Sequence, residues 1–352
     1  MTPLVTLDDI RAAAERIRSI AVRTPLIEVR GPLRPAPHQT EISGSRVEEN
    51  SGSTTESPRK QTEICGADLY GPPLHLKCEN FQPMGAFKIR GAVNMLAQLS
   101  PDALAVGVIT YSSGNHGQAV ALAAERLGVR AVVVMPETAP QVKVEGVRRY
   151  GAEVIFAGTT SLHRKARAEA EVSARALTMV PPFDHPWIIA GAGTTGLEIV
   201  EQCPDVSAVY VPVGGGGLIS GVAAAIKGLR PDVRVIGVEP SGAAKMTASR
   251  SAGRPVTLEK TSSISDGLLA VRPGDLTFAH VQALVDDIVT VDDRAIVAAI
   301  GWLFREAKIV VEPSGATSVA GALSPGATLR PGTVAVVSGG NVSPADYAGY
   351  LK

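Results

Sequence analysis

"VYVPVGGGGLISGVAAA" (residues 209–225) passes from a β-branched apolar run into an alanine-rich run through four consecutive glycines. The first part is apolar on both faces, as a strand covered on two sides must be, and the second part favours helix. A strand that enters a helix through glycine is half of a βα unit. Consecutive glycines also let main-chain N–H groups converge on one point, at the positive end of the helix dipole. A tight turn alone needs fewer of them. Gly214, Gly215, Gly216 and Gly217 together point to an anion site, most simply a phosphate.

The same rhythm extends in both directions. "LHLKCE" (74–79), "AVGVITYS" (105–112), "AVVVMP" (131–136), "EVIFAG" (153–158), "AVYVPV" (208–213), "VRVIGVEP" (233–240), "DIVTV" (287–291) and "TVAVVSGG" (333–340) are short apolar runs separated by alanine-rich helical stretches. This alternation predicts an α/β fold with mostly parallel strands flanked by helices. "TLDDIRAAAERIRSI" (6–20) opens with Thr6 and Asp9 in capping-box spacing, and "TPLIEV" (24–29) is a short strand. Residues 33–67 then become polar and rich in Ser, Thr, Glu and Pro, with neither period. Such a stretch buries too little apolar area to offset its ordering entropy, and is expected to be an inserted surface loop.

Composition narrows the class. The chain has 352 residues, 45% of them hydrophobic, enough for a large core and too many for general disorder. Lys+Arg and Asp+Glu balance at 34 each, so no global field selects nucleic acid or a membrane surface. Cys65, Cys78 and Cys203 form neither a disulfide framework nor a CxxC pair. No apolar run reaches membrane-spanning length and no signal peptide is apparent, so a cytoplasmic protein without membrane or nucleic-acid partners is expected.

Function in such folds gathers at the carboxyl ends of the strands. Besides the glycine run, "VITYSSGNHGQAVALAA" (108–124) and "VAVVSGGNVSP" (334–344) leave their strands through polar loops. "GAGTTG" (191–196) matches the dinucleotide fingerprint, but the next strand runs into Gly214 where a ribose-binding acid is required. These glycines are expected to form a structural turn near the cofactor. Ser113 and His116 lack a hydrolase pattern, and the six histidines show no metal-ligand spacing. In "GAFKIRGA" (85–92), Lys88 stands at the mouth of a predicted helix, where the dipole and partial burial both disfavour its charged form. A lysine of depressed pKa is a nucleophile toward carbonyls. Alone it reads as a snorkelling surface lysine; with a phosphate loop it implies a cofactor bearing both aldehyde and phosphate, pyridoxal 5'-phosphate.

"GAFKIRGA", "SSGNHGQA" (112–119), "GGGGLISG" (214–221) and "VSGGNV" (337–342), in this order, resemble the fold type II pyridoxal-phosphate enzymes, in particular the threonine/serine dehydratases and serine racemases. "SDGLLAVRPGDLTF" (265–278) and "LVDDIVTV" (284–291) extend the resemblance. It implies a tryptophan synthase β-like fold of two open twisted sheets. Residues 1–106 and 185–352 would form a large cofactor-binding domain, and 107–184 a small mobile one. It implies a homodimer acting on a small hydroxy amino acid. Lys88 would bind the cofactor aldehyde and then act as base on the substrate α-carbon, with Phe87 beside the ring. Asn115 would meet the ring's 3-hydroxyl and Ser338 its nitrogen, while Gly214 to Gly217 would hold the phosphate. Ser112, Asn115 and His116 would receive the substrate carboxylate through side chain and backbone.

A neutral hydroxyl at Ser338 makes the ring a weaker electron sink than a carboxylate would, which favours prompt loss of a β-hydroxyl. L-threonine/L-serine dehydratase is therefore the leading expectation, with amino-acid racemase (Ser113 serving as acid/base on the second face) and hydroxyaspartate dehydratase as alternatives. A binding protein without catalysis is disfavoured by the intact lysine and glycine loop. The chain departs from the family in three places. Gly85 replaces the usual serine of "GSFK", which would leave a wider approach to Lys88. Residues 33–67 lengthen one connection. Lys245 stands where metal-activated relatives carry a second carboxylate beside the equivalents of Glu239 and the Ala243 carbonyl. No metal is expected; Lys245 is either an internal cation or a solvated loop lysine. With no regulatory domain after Lys352, control by isoleucine is not expected.

Overall fold

The computed structural model describes residues 3–30, 71–112, 114–139, 141–327 and 329–352. The expectations placed on residues 33–67 and on Ser113 fall outside the described residues. Among those described, ten strands form two sheets. The first contains β1 (Leu26–Val29), β2 (Leu74–Cys78), β7 (Ala208–Pro212), β8 (Arg234–Pro240), β9 (Asp287–Val291) and β10 (Thr333–Val337), in the order β1-β2-β10-β7-β8-β9. All neighbours are parallel except the edge strand β1, which is antiparallel to β2. The second contains β3 (Val108–Tyr111), β4 (Ala131–Met135), β5 (Glu153–Phe156) and β6 (Thr178–Met179), all parallel, in the order β5-β4-β3-β6. Every strand read from the sequence is present. Only β6, two residues long, carries too little pattern to be seen in advance.

Burial explains why the central strands look uniformly apolar. All five residues of β10 are buried. Val334 and Val336 join Val209, Val211 and Leu218 in one core, while Ala335 and Val337 join Ile236, Ala316 and Val319 in another. The pleat sends alternate side chains into two helical layers, so neither face can be polar. At the N-terminus the helix Leu7–Ile17 is held by the expected box, with Thr6 and Asp9 capping each other.

The reading of "GAGTTG" as a turn is corrected. Its residues lie inside the helix Pro186–Gln202 and are all buried. They permit close packing. A Cβ on Gly191 would lie 2.5 Å from the Arg90 carbonyl, one on Gly193 2.7 Å from Ile10, and one on Gly196 2.8 Å from Ala225. A fingerprint-like spacing arises here because one helix must approach three neighbours closely. The tightest crossing is with the helix Gly217–Leu229, where a Cβ on Gly221 would stand 2.3 Å from the Ile189 carbonyl oxygen. That crossing sets where the glycine run enters its helix. Gly221→Ala should therefore cost roughly 1–3 kcal/mol of overpacking and lower the thermal midpoint by several degrees. Gly349→Ala, with nothing within 4 Å of its added carbon, should leave the midpoint unchanged or raised.

Candidate active site

The ends of β3, β7 and β10 and the start of the helix Lys88–Leu96 enclose one cavity of ≈160 Å³, lined among others by Phe87, Lys88, Ser112, Asn115, His116, Gly214, Gly215, Gly216, Gly217 and Ser338. Every described site residue anticipated from the sequence thus borders the same space. The peptide leading to Lys88 is stitched to the end of β10. The Phe87 N–H donates to the Ser338 carbonyl at 3.1 Å, the Gly340 N–H donates to the Gly85 carbonyl at 2.9 Å, and Ala86 forms an antiparallel bridge with Gly339.

Gly85 does not widen the approach to Lys88, contrary to expectation. It takes φ +79°, and the space a side chain would occupy is filled by Asn341, whose Oδ1 would lie 2.4 Å from a Cβ. Asn341 in turn donates to the Met84 carbonyl and to Asn115 Oδ1, both at 2.9 Å. Glycine is needed here for both conformation and room.

The helix begins at Lys88 itself, with Phe87 as its N-cap. Lys88 is partly exposed, and its Nζ donates to the Pro182 carbonyl and sits 5.1 Å from the Phe87 ring centroid. Burial pulls its pKa down to about 8. Arg90, two residues on, anchors this helix. Its guanidinium donates to both oxygens of Glu79 at 2.7 and 2.8 Å and to both oxygens of Glu198 at 2.7 and 2.9 Å. Lys77, also fully buried, donates to Glu198 and to Gln202.

The asparagine loop is equally constrained. Asn115 donates to Glu312 Oε1 and accepts from Asn341, so both ends of its amide are fixed. Ser112 Oγ accepts from the Gly114 N–H at 3.1 Å. His116 Nε2 lies 3.1 Å from the Val180 carbonyl, and burial, reinforced by the Lys88 charge, pushes its pKa down to about 3. The ring is therefore neutral, carries its proton on Nε2, and presents Nδ1 as a buried acceptor without a partner among the described residues. An acceptor repels a carboxylate. What His116 can offer an anion is its main-chain N–H in the first turn of the helix Asn115–Leu127.

Several charged residues at the cavity escaped the sequence reading. Lys143 is ion-paired with Asp266, and although burial alone would lower its pKa, Glu312 and Asp266 raise it overall. Glu312 is buried, its Oε2 has no partner among the described residues, and burial raises its pKa to about 7. Arg164 Nε has no partner among the described residues either. Lys143 left a trace in the sequence, since it shares a helical face with the buried Val147. Glu312 had a weaker one, a lone acid in the apolar run "IVVEP".

These residues fit pyridoxal phosphate. The N–H groups of Gly214, Gly215 and Gly216 have no acceptor among the described residues, and the helix Gly217–Leu229 starts beside them. Gly216 holds φ +101°, and a Cβ on Gly215 would lie 2.3 Å from the Phe183 ring. An easily deprotonated amine opens into the same cavity.

Residues 58–340 match the family described as pyridoxal-phosphate dependent enzyme. The chain belongs to this family. Over 256 residues it is 45% identical to serine racemase of Oryza sativa subsp. indica, covering 73% of this chain and 75% of the relative. Over 277 residues it is 44% identical to L-threonine ammonia-lyase of Geobacter sulfurreducens, covering 78% and 69%. A solved structure of maize serine racemase superposes with TM-score 0.84 at 37% identity, covering 99% of this chain and 97% of that one. The family members are fold type II enzymes that use pyridoxal phosphate, and both dehydratases and racemases are among the relatives at similar identity.

The lowered pKa of Lys88 has a measurable consequence. The amine is the form that captures an aldehyde, and it dominates above about 8 rather than above the ordinary 10.5. The rate at which cofactor-free protein takes up pyridoxal phosphate, followed by visible absorbance, should rise with pH and level off a little above 8. A rate still climbing steeply at pH 10 would contradict a buried amine.

Proposed function

We propose that the protein is an L-threonine/L-serine ammonia-lyase, a cytoplasmic homodimer that converts a small hydroxy amino acid into a 2-oxoacid and ammonia. The observation that supports this reading best is the neutral hydroxyl of Ser338, just after β10, in the wall of the cavity that Lys88 also lines. When bound, pyridoxal phosphate supplies the sink that spreads negative charge from the substrate α-carbon; a hydroxyl partner keeps that sink weak, so departure of a β-hydroxyl outruns other fates.

In this reading Lys88 Nζ, freed from the Pro182 carbonyl, removes the α-proton; its low pKa lets it exist as a base near neutral pH. The Cα–H and Cβ–O bonds break and a Cα=Cβ bond forms, the hydroxyl leaving as water with, in net, the proton taken from the α-carbon; the released enamine tautomerises and water hydrolyses it to the 2-oxoacid and ammonia. Ser112 and the main-chain N–H groups of Asn115 and His116 hold the substrate carboxylate. Asn115, fixed by Glu312 and Asn341, orients the ring through its 3-hydroxyl, Phe87 packs beside it, and the amides of Gly214 to Gly217 hold the phosphate. Residues 107–184 act as the smaller domain and close over the cavity to exclude water. The Lys143–Asp266 pair, joining a helix of that unit to the loop at 266–268, ties the two sides together.

The serine at position 113 favours a second activity, racemisation, in which its hydroxyl serves as a second acid/base beside Lys88. Purified enzyme incubated with L-threonine, L-serine and L-threo-3-hydroxyaspartate, with 2-oxoacid and D-enantiomer followed together, decides the balance. Oxoacid from L-threonine and L-serine should exceed D-enantiomer. D-serine formed faster than pyruvate would make the chain a racemase, and a preference for hydroxyaspartate would reassign the substrate. Ser113→Ala should abolish D-serine formation while L-serine elimination keeps most of its rate. A parallel loss of both would give Ser113 a part in elimination itself.

A further inference from the structure

Lys245 begins the helix Lys245–Ala252, where the dipole opposes a positive charge, and it is fully buried. Its ammonium is nevertheless surrounded by oxygen. It donates to the carbonyls of Val213 at 2.9 Å, Ala243 at 3.0 Å and Leu268 at 3.0 Å, and lies 3.2 Å from Glu239 Oε1. An ammonium has three protons, yet four oxygens from four segments converge on it. Such a cage is built around a spherical charge rather than around the reach of one side chain.

The acid of the cage is held by donors of its own besides the lysine. Glu239 accepts from the N–H groups of Met246 and Thr247 at 2.9 and 2.8 Å and from the Thr247 hydroxyl at 2.8 Å. Both oxygens of Glu239 therefore have hydrogen-bond partners besides Lys245. A divalent cation, which the resemblance raises for this position, does not fit. The ammonium takes its place, and oxygens at 2.9–3.2 Å stand wider than the about 2.0–2.6 Å that magnesium or calcium requires. The position of the cage matters for the cavity. Val213 immediately precedes Gly214, and Leu268 closes the turn Asp266–Leu268 that carries the partner of Lys143. Gly214 packs on that same turn, a Cβ there lying 3.1 Å from the Gly267 carbonyl.

We propose that Lys245 is a tethered counter-cation that locks the glycine loop onto the 266–268 turn, and that its oxygen cage is a latent site for a free cation of ammonium or potassium size, opened only when the side chain is removed. Lys245 is thus a positioning residue, acting on the cofactor through Val213. The effect on the cofactor rests on the glycine loop holding its phosphate, as argued above; the effect on stability does not.

The test compares wild type, Lys245→Ala and Lys245→Met as purified holoenzymes in tetramethylammonium buffer. Potassium, ammonium, magnesium or calcium chloride is then titrated in at constant ionic strength. Thermal midpoint and cofactor retained after dialysis are read for each. Wild type should ignore all four cations. Lys245→Ala should melt roughly 5–10 °C lower and lose cofactor, and should recover both saturably with potassium or ammonium. Lys245→Met, whose side chain fills the cage without charge, should be destabilised and not recover. Should Lys245→Ala fail to fold in tetramethylammonium buffer, refolding in potassium should restore it. Recovery of the midpoint without recovery of cofactor would keep the cation cage and overturn the phosphate role of the loop. Saturable, chelator-reversible stabilisation of wild type by magnesium or calcium would overturn the proposal. So would a Lys245→Ala protein indifferent to every cation.

Discussion

The guanidinium of Arg90 is the fixed point of the structure. Held by both oxygens of the buried Glu79 and of the part-buried Glu198, it ties the helix that starts at Lys88 to the segment before it and to the helix Pro186–Gln202. Burial alone would lower the Arg90 pKa, but the two carboxylates more than offset this and raise it. Planar two-point pairing leaves the guanidinium little freedom, and breaking one partner of such a buried set typically costs about 3–5 kcal/mol. Lys88 therefore leaves its helix in one direction only. Gly191, which allows that helix to touch Pro186–Gln202, and Gly85, which lets Asn341 fill the space beside the approach peptide, serve the same end.

Around this point the cavity is tuned by burial and then balanced by local partners. The same loss of water that lowers Lys88 and His116 raises Glu312, so an amine, a neutral imidazole and a readily protonated acid coexist within one wall. Each polar group is held by another element. Asn115 is gripped by Glu312 and Asn341, and Lys143 by Asp266. A site assembled from the ends of separate strands can be kept this rigid because the strands themselves are buried on both faces.

Much of this was legible in the sequence because βα units write their own punctuation. The apolar runs marked all strands but the two-residue β6, and the polar loops after β3, β7 and β10 marked the cavity. Lys88 was found by its misfit with its neighbours. "GAGTTG" misled because close helix packing and phosphate turns call for the same residue, and only the tertiary contact tells them apart. The neutral state of His116 comes from burial and its tautomer from the Val180 carbonyl, 64 positions away in the chain, and local pattern carries neither. Lys143, Asp266 and Glu312 acquire their roles only when distant segments meet, so local pattern carried little of them. The two readings left open for Lys245 needed the burial and four oxygens that the fold supplies.

The central claim is that one lysine of the cavity, Lys88, is the covalent anchor of the cofactor. Borohydride reduction of the holoenzyme, followed by proteolysis and mass spectrometry, tests it directly. A single phosphopyridoxyl group on the peptide containing Lys88, with Lys143 and Lys245 unmodified and no label in Lys88→Ala, is the predicted result. Modification of Lys143 in its place, or full cofactor loading of Lys88→Ala with retained turnover, would contradict the account.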